Sequence, residues 1–165
     1  MTLANRITLG RIVLIPLCLV FLLAGLYGLA AVIFLLLSFS DAIDGYIARK
    51  HKHVSELGKK LDPLADKILV TSMLIGLTGL GKADSIPVII ICARELAVAS
   101  FRTNRSFSAS ALAKWKTASQ VVAVVMLMLN LPLAGGVLWL AVLLSLITGG
   151  AYLWRIHIFN RLKLN

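Results

Sequence analysis

The sequence predicts an all-α integral membrane protein: one domain over residues 1–165, a bundle of six transmembrane helices with both termini in the cytoplasm. Three observations predict it. Of its 165 residues, 59% are hydrophobic and 15% charged, and the mean hydropathy is +0.93. A soluble domain of this size carries about a quarter of its residues as charges. Six apolar stretches follow one another, each close to the ~20 residues that a spanning helix requires. Basic residues gather in alternate connections between those stretches, which leaves no separate soluble domain.

The stretches run roughly over 7–25, 28–47, 64–81, 85–101, 115–131 and 136–158. The first two share an uncharged run from Ile12 to Ser40. As one helix that run would be ~44 Å long at ~1.5 Å per residue, too long for a ~30 Å hydrocarbon core. A break at "AGLYG", helped by Gly25 and Gly28, resolves it into two spans joined by a tight turn. Pro16 is expected to kink the first helix. The third stretch is preceded by "DP", which suits Asp62 as N-cap and Pro63 as the first helical residue. The fourth carries Arg94 in mid-span, where a charge is tolerated only if it faces the bundle interior. Trp115, Trp139 and Trp154 suit interfacial belts or packing.

Orientation comes from the cations. Arg6 and Arg11 open the chain. Arg49, Lys50, Lys52, Lys59 and Lys60 fill the second connection, Arg102, Arg105, Lys114 and Lys116 flank the fourth, and Arg155, Arg161 and Lys163 close the sequence. The other three connections hold only Lys82 and Asp84. The positive-inside rule then places both termini and the even connections in the cytoplasm. The net charge of +10, spread between apolar runs, points to membrane lipids with anionic head groups and to phosphorylated substrates rather than to nucleic acid. Cys18 and Cys92 lie inside apolar runs and read as small buried hydrophobes. The first apolar run lacks a convincing cleavage site and is expected to be retained.

Four aspartates interrupt this pattern in "SDAIDGYIARKHKHVSELGKKLDPLADKILV". Asp41 and Asp44 are three apart, and Asp62 and Asp66 four apart, so each pair shares a helix face. If the second and third helices pack side by side, all four converge. Such a cluster repels itself unless one or two divalent cations neutralise it. Oxygen-only ligands favour hard ions such as Mg²⁺ or Mn²⁺ over Zn²⁺, and no histidine or cysteine stands at a competing spacing. Hard ions on carboxylates commonly serve phosphate chemistry. Gly45 and Gly58 leave backbone open beside the carboxylates. Ordinary boundary charges are the bland alternative, and an ion transporter using the same carboxylates a second one. The cluster lies near one face, whereas alternating-access sites centre near the midplane.

The segment "DAIDGYIARKHKHVSELGKKLDPLAD" resembles the signature of the CDP-alcohol phosphotransferases, D-x2-D-G-x2-A-R followed after eight residues by G-x3-D-x3-D. It falls on Asp41, Asp44, Gly45, Ala48, Arg49, Gly58, Asp62 and Asp66 with every spacing intact. The resemblance implies a six-helix membrane bundle, usually dimeric, in the bacterial inner membrane with its site open to the cytoplasm. It implies that a CDP-linked lipid is attacked by an alcohol and CMP leaves. It implies further that the four aspartates hold two divalent cations, Mg or Mn, and that Asp66 is also the general base. Asp44, Gly45, Ala48, Arg49 and Gly58 would then bind the CDP moiety.

The stretches "LANRITLGRIVLIP", "ARELAVASFR" and "AKWKTASQ" resemble the members of this family that join CDP-diacylglycerol to sn-glycerol 3-phosphate. A phosphorylated acceptor needs a second basic pocket, and Arg94, Arg102, Arg105, Lys114 and Lys116 could form one. The same residues could instead meet anionic lipid, and Arg94 could simply pair with Glu95 or Asp41. Inositol phosphate, or phosphatidylglycerol as in cardiolipin synthesis, remain alternative acceptors.

Overall fold

The computed structural model describes residues 3–51, 56–101 and 111–162, with side chains described for 10, 13–40, 67–99, 112, 114–152 and 154. It is all-helical: α1 (Leu3–Leu23), α2 (Tyr27–His51), α3 (Glu56–Gly79), α4 (Ser85–Phe101), α5 (Ala111–Met128) and α6 (Ala134–Leu162). No strand occurs among the described residues. The six apolar stretches of the sequence each coincide with one helix.

Three helices end in the same way. At the end of α1, Gly25 N–H donates to Leu22 O at 3.1 Å and Leu26 N–H to Phe21 O at 3.0 Å. Gly81 and Lys82 repeat the pair after α3, donating to Thr78 O and Leu77 O, and Asn130 and Leu131 repeat it after α5, donating to Leu127 O and Met126 O. This double bond pattern is the Schellman cap, which requires a left-handed residue at its corner. Gly25 (φ 78), Gly81 (φ 69) and Asn130 (φ 55) supply it. The connections 24–26, 80–84 and 129–133 are therefore tight, and all three lie at one end of the bundle. The "AGLYG" break expected from length alone is the first of them.

α3 is the central element, packed against α1, α2, α4 and α5, while α6 packs on α4 and α5. Its inward face, Leu69, Met73, Leu74 and Leu77, is fully buried, together with Cys18, Leu22, Phe34, Ile91, Val124 and Leu138. The approach of α1 to α3 is closest at Gly76, where an added Cβ would stand 2.8 Å from Leu19 Cδ1 and 3.0 Å from Leu22 Cδ2. Cys18 donates its Sγ–H to Ala30 O at 3.4 Å and ties α1 to α2. Cys18 is buried, as expected, whereas Cys92 is half-buried.

The outside of the bundle is as apolar as its core. Val13, Val20, Leu36, Phe39, Ile75, Ile89, Leu96, Leu143 and Trp154 all face outward with more than half of their surface exposed. Among the described residues, one stretch, Ala134–Tyr152, meets both the length and the apolarity of a membrane span. Val13–Leu23, Tyr27–Ser40 and Lys67–Gly79 are shorter apolar helices.

One local expectation is overturned. Asp62 is not an N-cap, because α3 begins at Glu56 and runs through both Asp62 and Pro63. The apolar pattern marks only where hydrophobic residues start, and the helix continues about two polar turns beyond them. Pro63 there forfeits one backbone bond within the helix.

Candidate active site

The helix register orders the aspartates into two layers. Asp41 is 14 residues from the start of α2 and Asp66 is 13 from the end of α3, which puts both about 20 Å from the capped end. Asp44 and Asp62 are each 17 residues from those same ends, about 26 Å away. Because α2 and α3 pack together, the four positions lie at matching levels on neighbouring helices. Gly45, Ala48 and Arg49 occupy the following turns of α2, and Gly58 lies in the first turn of α3. The side chains of these signature residues lie outside the described residues.

At the level of Asp41 and Asp66 the interior holds charge. Glu95 on α4 is 95% buried, and three cations from three helices surround it. Lys116 Nζ donates to Glu95 Oε1 at 2.6 Å, Arg94 Nη1 donates to the same oxygen at 2.8 Å, and Lys67 Nζ stands 3.4 Å from Oε2. Arg94 Nη2 donates to Thr148 Oγ1 on α6 at 2.8 Å. Thr148 in turn donates to its own helix at Leu144 O, 2.8 Å. Lys67, Glu95, Lys116 and Thr148 are 10–14 residues from the capped end of their helices, about 15–21 Å, so the cluster is one layer deep.

Among the described side chains, three cations and one carboxylate give this cluster a formal charge of +2. Burial of uncompensated charge is costly, and the donors are not exhausted. Arg94 makes single hydrogen bonds through Nη1 and Nη2, while its Nε is buried without a partner. Glu95 Oε2 has no hydrogen bond. The described side chains thus keep a spare cationic N–H group, Arg94 Nε, at the level of Asp41 and Asp66.

The structure brings together Arg94 and Lys116 of the expected acceptor pocket, and they meet through Glu95. Lys114 is exposed and makes none of these contacts. Arg102 and Arg105 lie outside the described residues. Lys67, Thr148 and the hub role of Glu95 escaped the sequence reading. Lys67 carried a signal, as the sole cation opening an otherwise apolar run next to Asp66.

Cations gathered in the interior of a helical bundle, one of them next in sequence to Asp66, suit a protein that handles phosphate esters. Residues 1–147 match the family model described as CDP-alcohol phosphatidyltransferase. The chain is 36% identical to a CDP-diacylglycerol–glycerol-3-phosphate 3-phosphatidyltransferase of Bacillus subtilis, covering 91% of this chain and 92% of that one. It is 39% identical to the Rickettsia bellii protein of the same name, over 91% and 92%. A probable phosphatidylglycerophosphate synthase of Mycobacterium tuberculosis is 38% identical, over 93% of this chain and 80% of its own. The chain belongs to the CDP-alcohol phosphatidyltransferase family and is accordingly a transferase of phospholipid biosynthesis.

Proposed function

We propose that this enzyme transfers the phosphatidyl group of CDP-diacylglycerol to sn-glycerol 3-phosphate, giving phosphatidylglycerophosphate and CMP. The observation that supports the acceptor is the charge of +2 that the described side chains place around Glu95. A phosphomonoester bears about −1.5 to −2 at neutral pH and matches it. A phosphodiester such as phosphatidylglycerol bears a single charge, and free glycerol none. The names of the relatives supply glycerol 3-phosphate as the particular monoester.

The four aspartates fit a divalent-cation site in the chemistry of their donors, oxygen alone, and in their matching levels on α2 and α3. Asp41, Asp44, Asp62 and Asp66 would hold two ions, Mg or Mn. When bound, these would neutralise the diphosphate of CDP-diacylglycerol and improve CMP as a leaving group. Gly45, Ala48 and Arg49 on α2, with Asp44 and Gly58, hold the CDP moiety. Arg94 and Lys116, joined by Lys67, hold the acceptor's phosphate. Arg102, Arg105 and Lys114 would add to the attraction for it. Asp66 accepts the proton of the acceptor hydroxyl. The hydroxyl oxygen then bonds to the β-phosphorus as the bond to CMP breaks.

The same reading places the six helices across a bacterial cytoplasmic membrane. Both termini and the site face the cytoplasm, and the enzyme acts as a homodimer. The apolar outward face supports burial in lipid, and the alternation of basic connections supports this orientation.

The test is CMP release from CDP-diacylglycerol, with Mg²⁺ or Mn²⁺, across glycerol 3-phosphate, inositol phosphate, phosphatidylglycerol and glycerol. Turnover is expected with glycerol 3-phosphate and lost in Asp66→Asn, which should remain folded. Preferred use of phosphatidylglycerol or glycerol refutes the acceptor, and near-normal turnover of Asp66→Asn refutes its role as base.

A further inference from the structure

Arg94 is held on two sides by a pair of adjacent residues of α6. Thr148 accepts from Nη2 at 2.8 Å. Gly149, buried, faces the stem of the same side chain, and a Cβ added there would stand 2.7 Å from Arg94 Nε, 3.3 Å from Cγ and 3.5 Å from Cζ. The first distance is closer than non-bonded atoms pack, and the obstacle is the guanidinium end of the arginine itself. Glycine is therefore required at 149 for Arg94 to lie where it does. Among the described residues no other helical glycine has this relation to a charged side chain: Gly76 faces leucines, and Gly10, Gly28, Gly79, Gly135, Gly136 and Gly150 meet nothing within 4 Å.

The two contacts have different consequences. The Thr148 hydroxyl fixes the plane of the guanidinium, because it takes one N–H while Glu95 takes another. The missing side chain at 149 sets how deeply the arginine stem can sink against α6. Together they leave the remaining N–H groups of Arg94 in a single orientation beside Lys116. Arginine recognises phosphate through a planar, two-pronged fork, so its orientation determines whether two phosphate oxygens can be met at once. Both residues lie just beyond the segment 1–147 that matches the family model.

We propose that the Thr148–Gly149 step of α6 is a positioning element that orients Arg94 toward the phosphate of the acceptor. This rests on the reading of the Glu95 cluster as the acceptor-phosphate site. Thr148 and Gly149 touch no reacting atom; they act through Arg94. The step sets the Michaelis constant for the phosphorylated acceptor and leaves recognition of the CDP-lipid to α2 and α3.

The experiment measures kcat, KM for glycerol 3-phosphate and KM for CDP-diacylglycerol on the full chain reconstituted with Mg²⁺. Gly149→Ala should raise the acceptor KM about tenfold or more, since displacing a binding group by ~1 Å has large effects. KM for CDP-diacylglycerol should change by less than about twofold, the scatter of independent sites. In an Arg94→Ala background, Gly149→Ala should add nothing. Thr148→Val should raise the acceptor KM by about tenfold, the loss of one hydrogen bond to a charged group, and Thr148→Ser should restore it. A full additional effect of Gly149→Ala without Arg94, or equal changes in both Michaelis constants, overturns the proposal and makes the glycine merely structural. If Gly149→Ala does not fold, the Thr148→Val and Thr148→Ser pair decides, and equal acceptor KM values in the two overturn it. Arg94→Ala without effect on the acceptor KM would instead overturn the phosphate-site reading beneath it.

Discussion

Replacing Glu95 by Gln removes the carboxylate on which three described cations converge. The side chain is 5% exposed, and its partners lie at 2.6, 2.8 and 3.4 Å. At an effective dielectric constant of about 20, each of these pairs is worth roughly 5–6 kcal/mol of Coulomb energy. Much of that is offset by desolvation and by repulsion among the cations. Breaking a buried ion pair by removing one partner costs about 3–5 kcal/mol, because the other charge is left uncompensated. Glu95→Gln is therefore expected to destabilise the bundle by about 3–5 kcal/mol, while its amide oxygen still accepts one hydrogen bond. The assay is unfolding in detergent, followed by helical signal, with and without inorganic phosphate. Phosphate should recover part of the loss, because a bound anion replaces the missing carboxylate charge and binding to the folded state stabilises it. A loss below about 1 kcal/mol, the level of an exposed pair, would refute the view that Glu95 is the hub of a buried charge layer. Failure of phosphate to stabilise the variant would refute the view that the cluster accepts an anion.

Two further predictions concern the scaffold. Gly81→Ala places a Cβ on a left-handed residue and should cost about 1–2 kcal/mol in the same unfolding assay, whereas Gly79→Ala, inside α3 with open space around it, should be neutral or stabilising by up to about 1 kcal/mol. Gln120 is 4% exposed and its Nε2 has no partner; Gln120→Met should be neutral or stabilising by about 1 kcal/mol, and a clear loss would show that the amide holds a partner in the membrane.

The helices were legible in the sequence because a chain that meets lipid must advertise its spans as apolar runs, and two of these runs end at glycines that cap their helices. The turn at Gly25 could be read in this way, whereas the corner at Asn130 could not, as asparagine adopts the left-handed conformation less conspicuously. The start of α3 was misplaced because helix and apolar stretch are different quantities, and "ELGKKLDP" is polar but helical. The aspartates were legible because both pairs are local, three and four residues apart on one helix. The charge layer was not, because Lys67, Glu95, Lys116 and Thr148 come from four helices and no spacing along the chain relates them. Arg94 announced itself by sitting in mid-span. Its restraint by Gly149 depends on 2.7 Å of space that no residue pattern encodes.

The three capped turns bear on how such a chain is made. They fasten α1 to α2, α3 to α4 and α5 to α6 as helical hairpins, each closed by three to five residues. On the proposed topology these turns are the only connections that must be carried across the bilayer during synthesis. Between them they hold one lysine and one aspartate, Lys82 and Asp84, whose charges cancel. Lys82 is further shielded, its ammonium lying 3.9 Å from the centre of the Tyr27 ring. On that topology the chain can be inserted as three successive hairpins with almost nothing ionic to export.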